Sequence, residues 1–517
     1  MLTAGLVLVT MPIGGAAVSA DQGPRRAAKP VPAPVESDAP TSAYSHVLAA
    51  SGAAFTPLDP CRLLDTREGA RPGPGGTIAV GAGDACSIPA SAIAIASTLT
   101  AVFPDAPGFV TAFPGGTVPT ASTLNYMPGE VRANGAIIPL AGDGTLQLYT
   151  HAATDLLLDV TGYWEDVPGE VAAGRLEPLM PTRIIDTRDV ADSGRTVTVE
   201  TGLAGYAAAV VNITLTATDG PMYLTAHSGA GAIPEASTVN ADGAGQTRAA
   251  SAFVPLTPEG TFVVERPIGW GEIIVDITGA ITAAGAAAST DGLFVPVEPE
   301  RLLDTRELKA SRAVCLPAGA TLLLDALEEG FAGAIAANVT ILPAAGTGGY
   351  LTVAPDGLQG TVATSTVNAT HTDVAVANLG VIQVDFWGDL GILASHGADA
   401  IVDISGYFTG VGPNDIDPVG RADHGCTVDA TWPQGPGDPA LLAGVPDAEW
   451  ANAAAAQCVP ATMIAFVQAS GYTYLEDHLS DDVQGLFGYA DTNGNLVFNR
   501  QTNEAVPEEF CGTMVHE

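Results

Sequence analysis

Basic residues are scarce in this sequence. Only 19 of its 517 residues are Lys or Arg, against 57 Asp and Glu, so the formal net charge is −38. A chain with this charge repels the phosphate backbone of nucleic acids and the anionic surface of a membrane. We therefore expect no nucleic-acid partner and no attachment to anionic lipid.

Histidine is also scarce, with 8 residues, and no His or Cys spacing matches a metal-binding motif. The sequence has no phosphate-binding glycine loop and no G-x-S-x-G nucleophile turn. Beyond the N-terminal stretch, no apolar run reaches the roughly 18 residues that cross a membrane. These absences predict a protein without metal, cofactor or membrane span, and they favour a protein that is not an enzyme.

The N-terminal stretch has the composition of an export signal. Residues 2–20 are apolar and end in small residues, which predicts a signal peptide over 1–20 with cleavage before Asp21. Residues 21–52 are rich in Pro, Ala and Ser, which is typical of a disordered linker. We therefore expect a protein that is secreted or held at the cell surface.

Six cysteines in an exported chain suggest disulfides. Cys61 and Cys86 are close in sequence and have no counterparts at matching places later in the chain, so we expect them to form a pair. Closing that loop would stabilise the fold by about 3 kcal/mol in the chain-entropy model. The sequence leaves the partners of the other four open, and these are Cys315, Cys426, Cys458 and Cys511.

Two phrases recur three times along the chain. The opening phrase is CRLLDTREG at 61–69, TRIIDTRDV at 182–190 and ERLLDTREL at 300–308, and the closing phrase is LLLDVTGYW at 156–164, IIVDITGAI at 273–281 and AIVDISGYF at 400–408. The first arginines of the opening phrases are 121 and 118 residues apart. Self-similarity at this spacing indicates tandem domains, because each unit is longer than a solenoid repeat.

The units have the composition of β-strands. Short runs rich in Val, Ile, Thr and Phe alternate with Gly, Pro, Asp and Asn. We therefore predict a mainly β protein, with three tandem β-sandwich or barrel-like repeats and a small disulfide-stapled α+β module at the C-terminal end. The predicted boundaries are 53–165, 175–282 and 292–408 for the repeats and 420–517 for the last module.

The combined pattern of RLLDTR, GFVTAFP with ASTLN, and LLLDVTGYW resembles a β-rich repeat of secreted actinobacterial proteins. The resemblance covers about residues 55–408. It implies extracellular placement and modular use, and it implies no catalytic mechanism.

The recurring charges have two interpretations. Side chains alternate along a strand, so Asp65 and Arg67 lie on one face. An Arg–carboxylate clamp between the first and last strands of each repeat would use the planar guanidinium fork. The alternative is a polar site for sugar hydroxyls or a cation, and we favour the clamp because buried charges must be paired. The predicted clamp residues are Arg62, Asp65, Arg67, Asp159, Arg183, Asp186, Arg188, Asp276, Arg301, Asp304, Arg306 and Asp403.

Aromatic residues end two of the three repeats. They are Tyr163-Trp164 and Tyr407-Phe408, whereas the second repeat ends in Ala280-Ile281. Such rings are candidates for stacking on a sugar, and the alternative is that they only cap the end of a sandwich. We favour capping.

The C-terminal segment contains a predicted helical stretch at 447–471, interrupted by Pro460. Within it, QCVPATMIAFVQASGY resembles the nucleophile helix of papain-like cysteine peptidases of the bacteriocin-processing type. That resemblance implies Cys458 as nucleophile, with His516 or His478 as base. The alternative, which we favour, is that Cys458 forms a structural disulfide.

Taken together, these features predict a non-catalytic exported protein that binds carbohydrate or other cell-envelope material through its repeats. The first alternative is a secreted hydrolase with a cysteine-peptidase-like C-terminal segment, in which the repeats are targeting or spacer modules. The second treats the repeats as spacers alone. The sequence specifies neither the ligand nor the oligomeric state.

Overall fold

The structure, a computed structural model, describes residues 52–410 and 412, apart from 84, 191–192, 307–315, 317, 320, 328–331, 356–361 and 387. It also describes 474–477, 488–490 and 496–499, and all of these residues belong to one unit, Ser51–Glu517. The predicted signal peptide and linker, the helical stretch at 447–471 and most of the module at 420–517 lie outside the described residues.

Three successive segments each contain eight strands. Segment 1 is 53–166, with β1 (Ala53–Asp65), β2 (Gly76–Gly81), β3 (Ala92–Val102), β4 (Gly108–Phe113), β5 (Leu124–Tyr126), β6 (Val131–Pro139), β7 (Thr145–Thr150) and β8 (Asp155–Asp166). Segment 2 is 176–281, with β9 (Leu176–Asp186), β10 (Thr196–Glu200), β11 (Ala208–Thr216), β12 (Met222–His227), β13 (Val239–Ala241), β14 (Arg248–Pro255), β15 (Thr261–Ile268) and β16 (Glu272–Ile281).

Segment 3 is 294–409, with β17 (Phe294–Asp304), β18 (Thr321–Asp325), β19 (Ala332–Pro343), β20 (Gly349–Pro355), β21 (Val367–Ala369), β22 (Val376–Gln383), β23 (Asp389–Ala394) and β24 (Ala398–Thr409). Near the C-terminal end, β25 (Tyr474–Asp477), β26 (Gly488–Ala490) and β27 (Leu496–Asn499) form a small mixed sheet. The described residues hold no α-helix, only two 3-10 turns at Thr66–Glu68 and Thr187–Asp189.

Each segment folds into two antiparallel sheets of four strands. The outer sheets have the orders β2-β7-β4-β5, β10-β15-β12-β13 and β18-β23-β20-β21. The inner strands of segment 2 are ordered β14-β11-β16-β9, and those of segments 1 and 3 join edge to edge through Ala53 and Phe294 into one sheet of eight, β22-β19-β24-β17-β1-β8-β3-β6. The mainly β prediction is confirmed, and the sheets are open and sandwich-like.

The two kinds of sheet differ in their burial patterns. Outer strands such as β10, with sequence TVTVE, alternate buried and exposed residues because one face meets solvent. Inner strands such as β11 are buried along almost their whole length. Their continuous apolar runs follow from contact on both faces, with the outer sheet on one side and the other segments on the opposite side.

A central core joins the three segments. It is formed by residues of all three inner sheets, and it lies apart from the core inside each of segments 1 and 2. Aromatic rings make up much of it: Trp164 lies 4.5 Å from Phe55, 5.3 Å from Phe253 and 4.8 Å from Phe294 between ring centroids. Because the inner sheets bury apolar residues against each other, the three segments share one interior.

The glycine of each closing phrase has a packing role. A Cβ on Gly162 would collide with the Phe55 ring, and one on Gly406 would collide with the Phe294 ring. At Gly279 the added atom would lie 2.8 Å from a methyl of Leu176. In every segment, therefore, the first large side chain of the opening strand lies over the glycine of the closing strand.

The expected disulfide is present and is confirmed. Cys61 of β1 is bonded to Cys86, with 5.7 Å between the Cα atoms. It ties the opening strand to the loop between β2 and β3, where Cys86 is buried in the core of segment 1. Cys315, Cys426, Cys458 and Cys511 lie outside the described residues, as do His478 and His516.

Candidate functional site

Each opening strand carries an arginine that forms two hydrogen bonds with the aspartate of the closing strand. In segment 1, Arg62 Nε bonds Asp159 Oδ1, and its Nη2 lies 3.1 Å from Oδ2. The two residues are neighbours in the register between β1 and β8. The same fork recurs between Arg183 and Asp276 at 2.9 and 3.3 Å, and between Arg301 and Asp403 at 2.8 and 3.2 Å.

The closing-strand aspartates are buried, and burial raises their pKa above the ordinary value of a carboxyl group. The hydrogen bonds from the arginines act in the opposite direction at all three sites: Asp159, Asp276 and Asp403. An aspartate at these positions thus depends on its arginine, because without it a buried acid would be left unpaired.

The second arginine of each opening phrase does not reach the closing strand. Arg67 bonds Asp65, two residues earlier, through Nε at 2.9 Å and through its backbone amide at 3.0 Å. Its side chain is 51% exposed. The same local pairs form between Arg188 and Asp186 and between Arg306 and Asp304. The hydrogen bond from its arginine holds the pKa of Asp65, and likewise of Asp186, below the ordinary value.

The threonine between these charges completes the connection. Thr66 Oγ1 accepts the backbone N–H of Leu156, at 2.9 Å, where the closing strand begins. Thr187 and Thr305 do the same for Ile273 and Ala400. Every polar residue of the L-D-T-R phrase therefore has a bonding partner, either in the closing strand or in the turn itself.

The clamp of segment 1 also holds segment 2. Arg62 Nη2 donates to the carbonyl oxygen of Glu235 at 3.0 Å, and the backbone N–H of Ser237 donates to Asp159 at 3.3 Å. Both partners lie in the loop that precedes β13, which we call the junction loop of segment 2. The clamp thus joins two segments as well as two strands.

The clamp of segment 3 holds segment 1 in the same way. Arg301 Nη2 donates to the carbonyl of Thr120 at 3.2 Å, and the N–H of Ser122 donates to Asp403 at 3.0 Å. Thr120 and Ser122 belong to the junction loop of segment 1, which precedes β5. Segment 3 therefore holds segment 1, segment 1 holds segment 2, and a bond from Asn212 to the carbonyl of Ser365 joins segments 2 and 3, so the order of contacts is cyclic.

The remaining junction lies between the clamp of segment 2 and the junction loop of segment 3, and we call it the open junction because the described part of this loop lacks the arginine contact of the other two. Arg183 makes no hydrogen bond to the described part of that loop, 362–366. In its place is a cavity of about 370 Å³. The lining consists of two arginines, hydroxyl groups, one amide, one aromatic ring and a few apolar side chains: Arg183, Arg188, Thr214, Thr216, Thr247, Ile274, Tyr350, Val362, Ala363, Thr364, Ser365 and Asn368.

Buried asparagines link the inner strands across segments. Asn338 lies 2.8 Å from Asn134, and Asn378 lies 2.8 Å from Asn212. Asn212 also donates to the carbonyl of Ser365 at 2.7 Å, so segments 2 and 3 remain joined beside the cavity. These residues lie outside the recurring phrases and were not predicted as site residues, although an Asn within an apolar run such as VVNITLTA is a signal that a buried amide needs a partner.

An ion cluster joins all three segments. Asp373 of segment 3 accepts from Arg132 of segment 1 at 2.9 Å and from Arg248 of segment 2 at 3.1 Å. Glu130 lies 2.9 Å from Arg132. These side chains are all largely buried, so the cluster acts in the interior. No repeated phrase marked it, because segment 3 has no arginine at the matching position.

Two of the four rings considered for sugar stacking lie in the interior. Trp164 and Phe408 are each 1% exposed and belong to the central core, so neither presents a face to a ligand. The cause is that the inner sheets face the other segments and not solvent. Tyr163 and Tyr407 are half-buried, and burial raises the pKa of Tyr407. The ring that meets the cavity is Tyr350, which the closing phrases do not contain.

Other kinds of site are not found in the described part of the chain. It holds no group of three His, Cys, Asp or Glu side chains placed to bind a metal ion. Nor does it hold a helix with the length and apolar character that spanning a membrane requires.

Comparisons with known proteins give no family. No family model and no curated protein matches the chain. A chain from the atomic structure of Sulfolobus turreted icosahedral virus is 13% identical, with a TM-score of 0.15, over 66% of this chain and 85% of that chain. The N-terminal CBM22-1–CBM22-2 tandem domain from Paenibacillus barcinonensis Xyn10C is 11% identical, with a TM-score of 0.14, over 46% of this chain and 100% of that chain.

A third match is a chain from an archaeal virus with a triple jelly roll fold, which is 10% identical with a TM-score of 0.15 over 70% of this chain and 91% of that chain. TM-scores this low do not indicate a shared fold.

Proposed function

We propose that this chain is an exported, non-catalytic protein that binds carbohydrate or other cell-envelope material. The observation that carries the proposal is the open junction, a cavity of about 370 Å³ lined by guanidinium, hydroxyl and amide groups with one aromatic ring. Ligand sites commonly have a volume of about 300–1,000 Å³ and a few fixed polar groups. The described lining has no nucleophile paired with a base, so it favours binding over catalysis.

Export is part of the same proposal. The Cys61–Cys86 disulfide supports it, because structural disulfides persist mainly in oxidising compartments. The signal-like sequence at 1–20 supports it as well. We further propose that segments 1, 2 and 3 are three copies of one β-sandwich module and that 420–517 is a separate module of different architecture.

Co-sedimentation tests the binding. The whole chain, with disulfides formed, is mixed with purified Gram-positive cell wall, chitin and cellulose, and the bound fraction is measured after centrifugation. An unrelated protein of similar negative charge serves as the control for non-specific retention. We expect at least one polymer to retain the chain and not the control. Absence from all three pellets would contradict the binding function and favour a spacer role.

A further inference from the structure

We propose that the open junction between segments 2 and 3 binds one neutral saccharide unit, and that it is the single site of this kind among the three junctions. The inference rests on the proposed function, and it names the ligand class and the place of binding. It follows from a comparison of three positions that carry the same arginine and aspartate.

The three clamp arginines differ in which groups accept their N–H donors. Arg62 and Arg301 each donate Nη2 to a loop carbonyl, at 3.0 and 3.2 Å. Each also places Nη1 3.2 Å from a second aspartate. Among the described residues, Arg183 bonds Asp276 alone through the fork, and its Nη1 lies 3.8 Å from Asp186, too far for a hydrogen bond. Donors that the other junctions use internally therefore face the cavity.

The N–H donors of Arg183 that face the cavity require an acceptor. A guanidinium has N–H donors and no acceptor, so its partner must supply an oxygen. At the other two junctions that oxygen is a backbone carbonyl, and here a ligand oxygen can occupy the same place. A sugar hydroxyl or ring oxygen meets this requirement, and the hydroxyls of Thr214 and Thr364 are able both to donate and to accept.

One aromatic ring lines the cavity. Tyr350 lines the cavity and is 41% exposed, whereas most large apolar side chains of the described segments are covered. A sugar ring presents C–H groups on its faces, and an exposed tyrosine gives them a flat apolar surface while its hydroxyl stays in water. The ring and the arginines thus provide the two kinds of contact that a saccharide needs.

The charges around the cavity favour a neutral ligand. Arg183 is paired with Asp276, and Arg188 is paired with Asp186 at 2.5 Å. The two cations of the cavity are therefore balanced by two carboxylates. The chain as a whole carries −38. A polyanionic polymer would meet no net positive charge here and would be repelled by the rest of the surface.

The test compares Tyr350→Ala with a matched variant at a closed junction. Tyr223→Ala removes the ring at the equivalent position, since both tyrosines precede the same Leu-Thr pair in β12 and β20. Calorimetric titration of the whole chain uses cellotetraose, chitotetraose and tetragalacturonate as probes. We expect one neutral probe to bind with a stoichiometry of one, and its affinity to stay constant between roughly 0.05 and 0.5 M NaCl, where charge attraction is screened.

Tyr350→Ala is expected to weaken that binding about tenfold, the effect of one ring contact, and Tyr223→Ala is expected to change it less than twofold. Equal effects of the two variants, a stoichiometry of three, or tighter and salt-sensitive binding of the uronate would each overturn the assignment. If polymer retention persists in co-sedimentation while Tyr350→Ala changes nothing, the site is elsewhere and the binding function stands. If no polymer and no probe binds, both proposals fail.

Discussion

Arg62 and Arg67 are five residues apart in one phrase, yet they bond different parts of the structure. Arg62 bonds the closing strand and the junction loop of segment 2, whereas the bonds of Arg67 to described residues all go to Asp65 in its own turn. Arg62 is three-quarters buried and Arg67 is half exposed. Because Arg62 is the more buried of the two, we expect its removal to lower the stability of the fold more than the removal of Arg67 does.

Arg62→Ala should lower the free energy of unfolding by about 3–5 kcal/mol, because Asp159 would remain buried without its partner. Arg67→Ala, the matched control, should cost no more than about 1 kcal/mol, as exposed ion pairs do. Urea denaturation followed by circular dichroism measures both. Similar losses for the two variants would show that the buried fork is not the stabilising contact.

The local part of this arrangement could be predicted from the sequence, and the distant part could not. Strand alternation predicted Asp65 beside Arg67, and these two do bond, but they do so because Asp65 caps the 3-10 turn Thr66–Glu68 that contains Arg67. The carbonyl of Glu235, however, lies 173 positions from Arg62. Its approach depends on how segment 2 packs against segment 1, and no pattern within either segment encodes that packing.

At the scale of strands, the closing glycine sets how closely β1 and β8 approach. Gly162→Ala should destabilise the chain by about 1–3 kcal/mol, the usual cost of overfilling a packed site, because the new methyl would collide with Phe55. Gly169→Ala is the matched control, since nothing lies within 4 Å of its added atom. Thermal denaturation compares the two, and equal melting temperatures would contradict the packing role.

The disulfide acts on the same opening strand. Replacing both Cys61 and Cys86 with Ala should lower the free energy of unfolding by about 3 kcal/mol, since the unfolded chain regains the freedom of the closed loop. Chemical denaturation with and without a reducing agent measures this. The double variant should respond less to the reducing agent than the native chain, and an equal response of the two proteins would assign the effect to another cysteine pair.

Strand composition predicted the β class, but it did not indicate that Trp164 and Phe408, which we expected to cap the end of a sandwich, lie in the core between the segments. Short Val, Ile and Thr runs identify strands wherever they lie. The burial of Trp164 comes from a second contact face on the inner sheet. A continuous apolar run such as the one in β11 was the available signal, because a sheet with one solvent face would alternate.

At the scale of the whole molecule, Asp373 connects the three segments through Arg132 and Arg248. Burial acts to raise the pKa of Asp373, but the two guanidinium groups outweigh it and hold that pKa below the ordinary value. A carboxyl group whose pKa is lower in the folded state than in the unfolded state contributes stability that is complete above its unfolded pKa, about 4. That contribution is lost as the pH falls through the folded pKa.

The contribution of Asp373 to the urea midpoint of the native chain should therefore fall as the pH is lowered from about 5 to about 3, below the unfolded pKa of aspartate. Asp373→Asn should lower stability at neutral pH by about 3–5 kcal/mol, because two buried arginines lose their shared partner. Its midpoint should also depend less on pH in that range. Glu68→Gln, at an exposed position, is the control, and matching pH profiles for the two variants would exclude Asp373 as the source.

The shared interior predicts how a single segment behaves. A fragment of residues 52–172 would expose Phe55 and Trp164, which lie in the central core of the whole molecule. We expect this fragment to self-associate in analytical ultracentrifugation, whereas a fragment of 52–412 should unfold in one cooperative transition. A monomeric and equally stable small fragment would mean that the central core contributes little.

The cyclic order of the junctions has a consequence for how this molecule could acquire specificity. Three separate chains of one segment each, assembled around a threefold axis, would have three identical junctions, because symmetry repeats every contact. In a single chain each copy can change alone. Two junctions here are sealed by loop carbonyls and the other holds a cavity. Because the three segments belong to one chain, one junction can change to bind a ligand while the other two keep their contacts between segments.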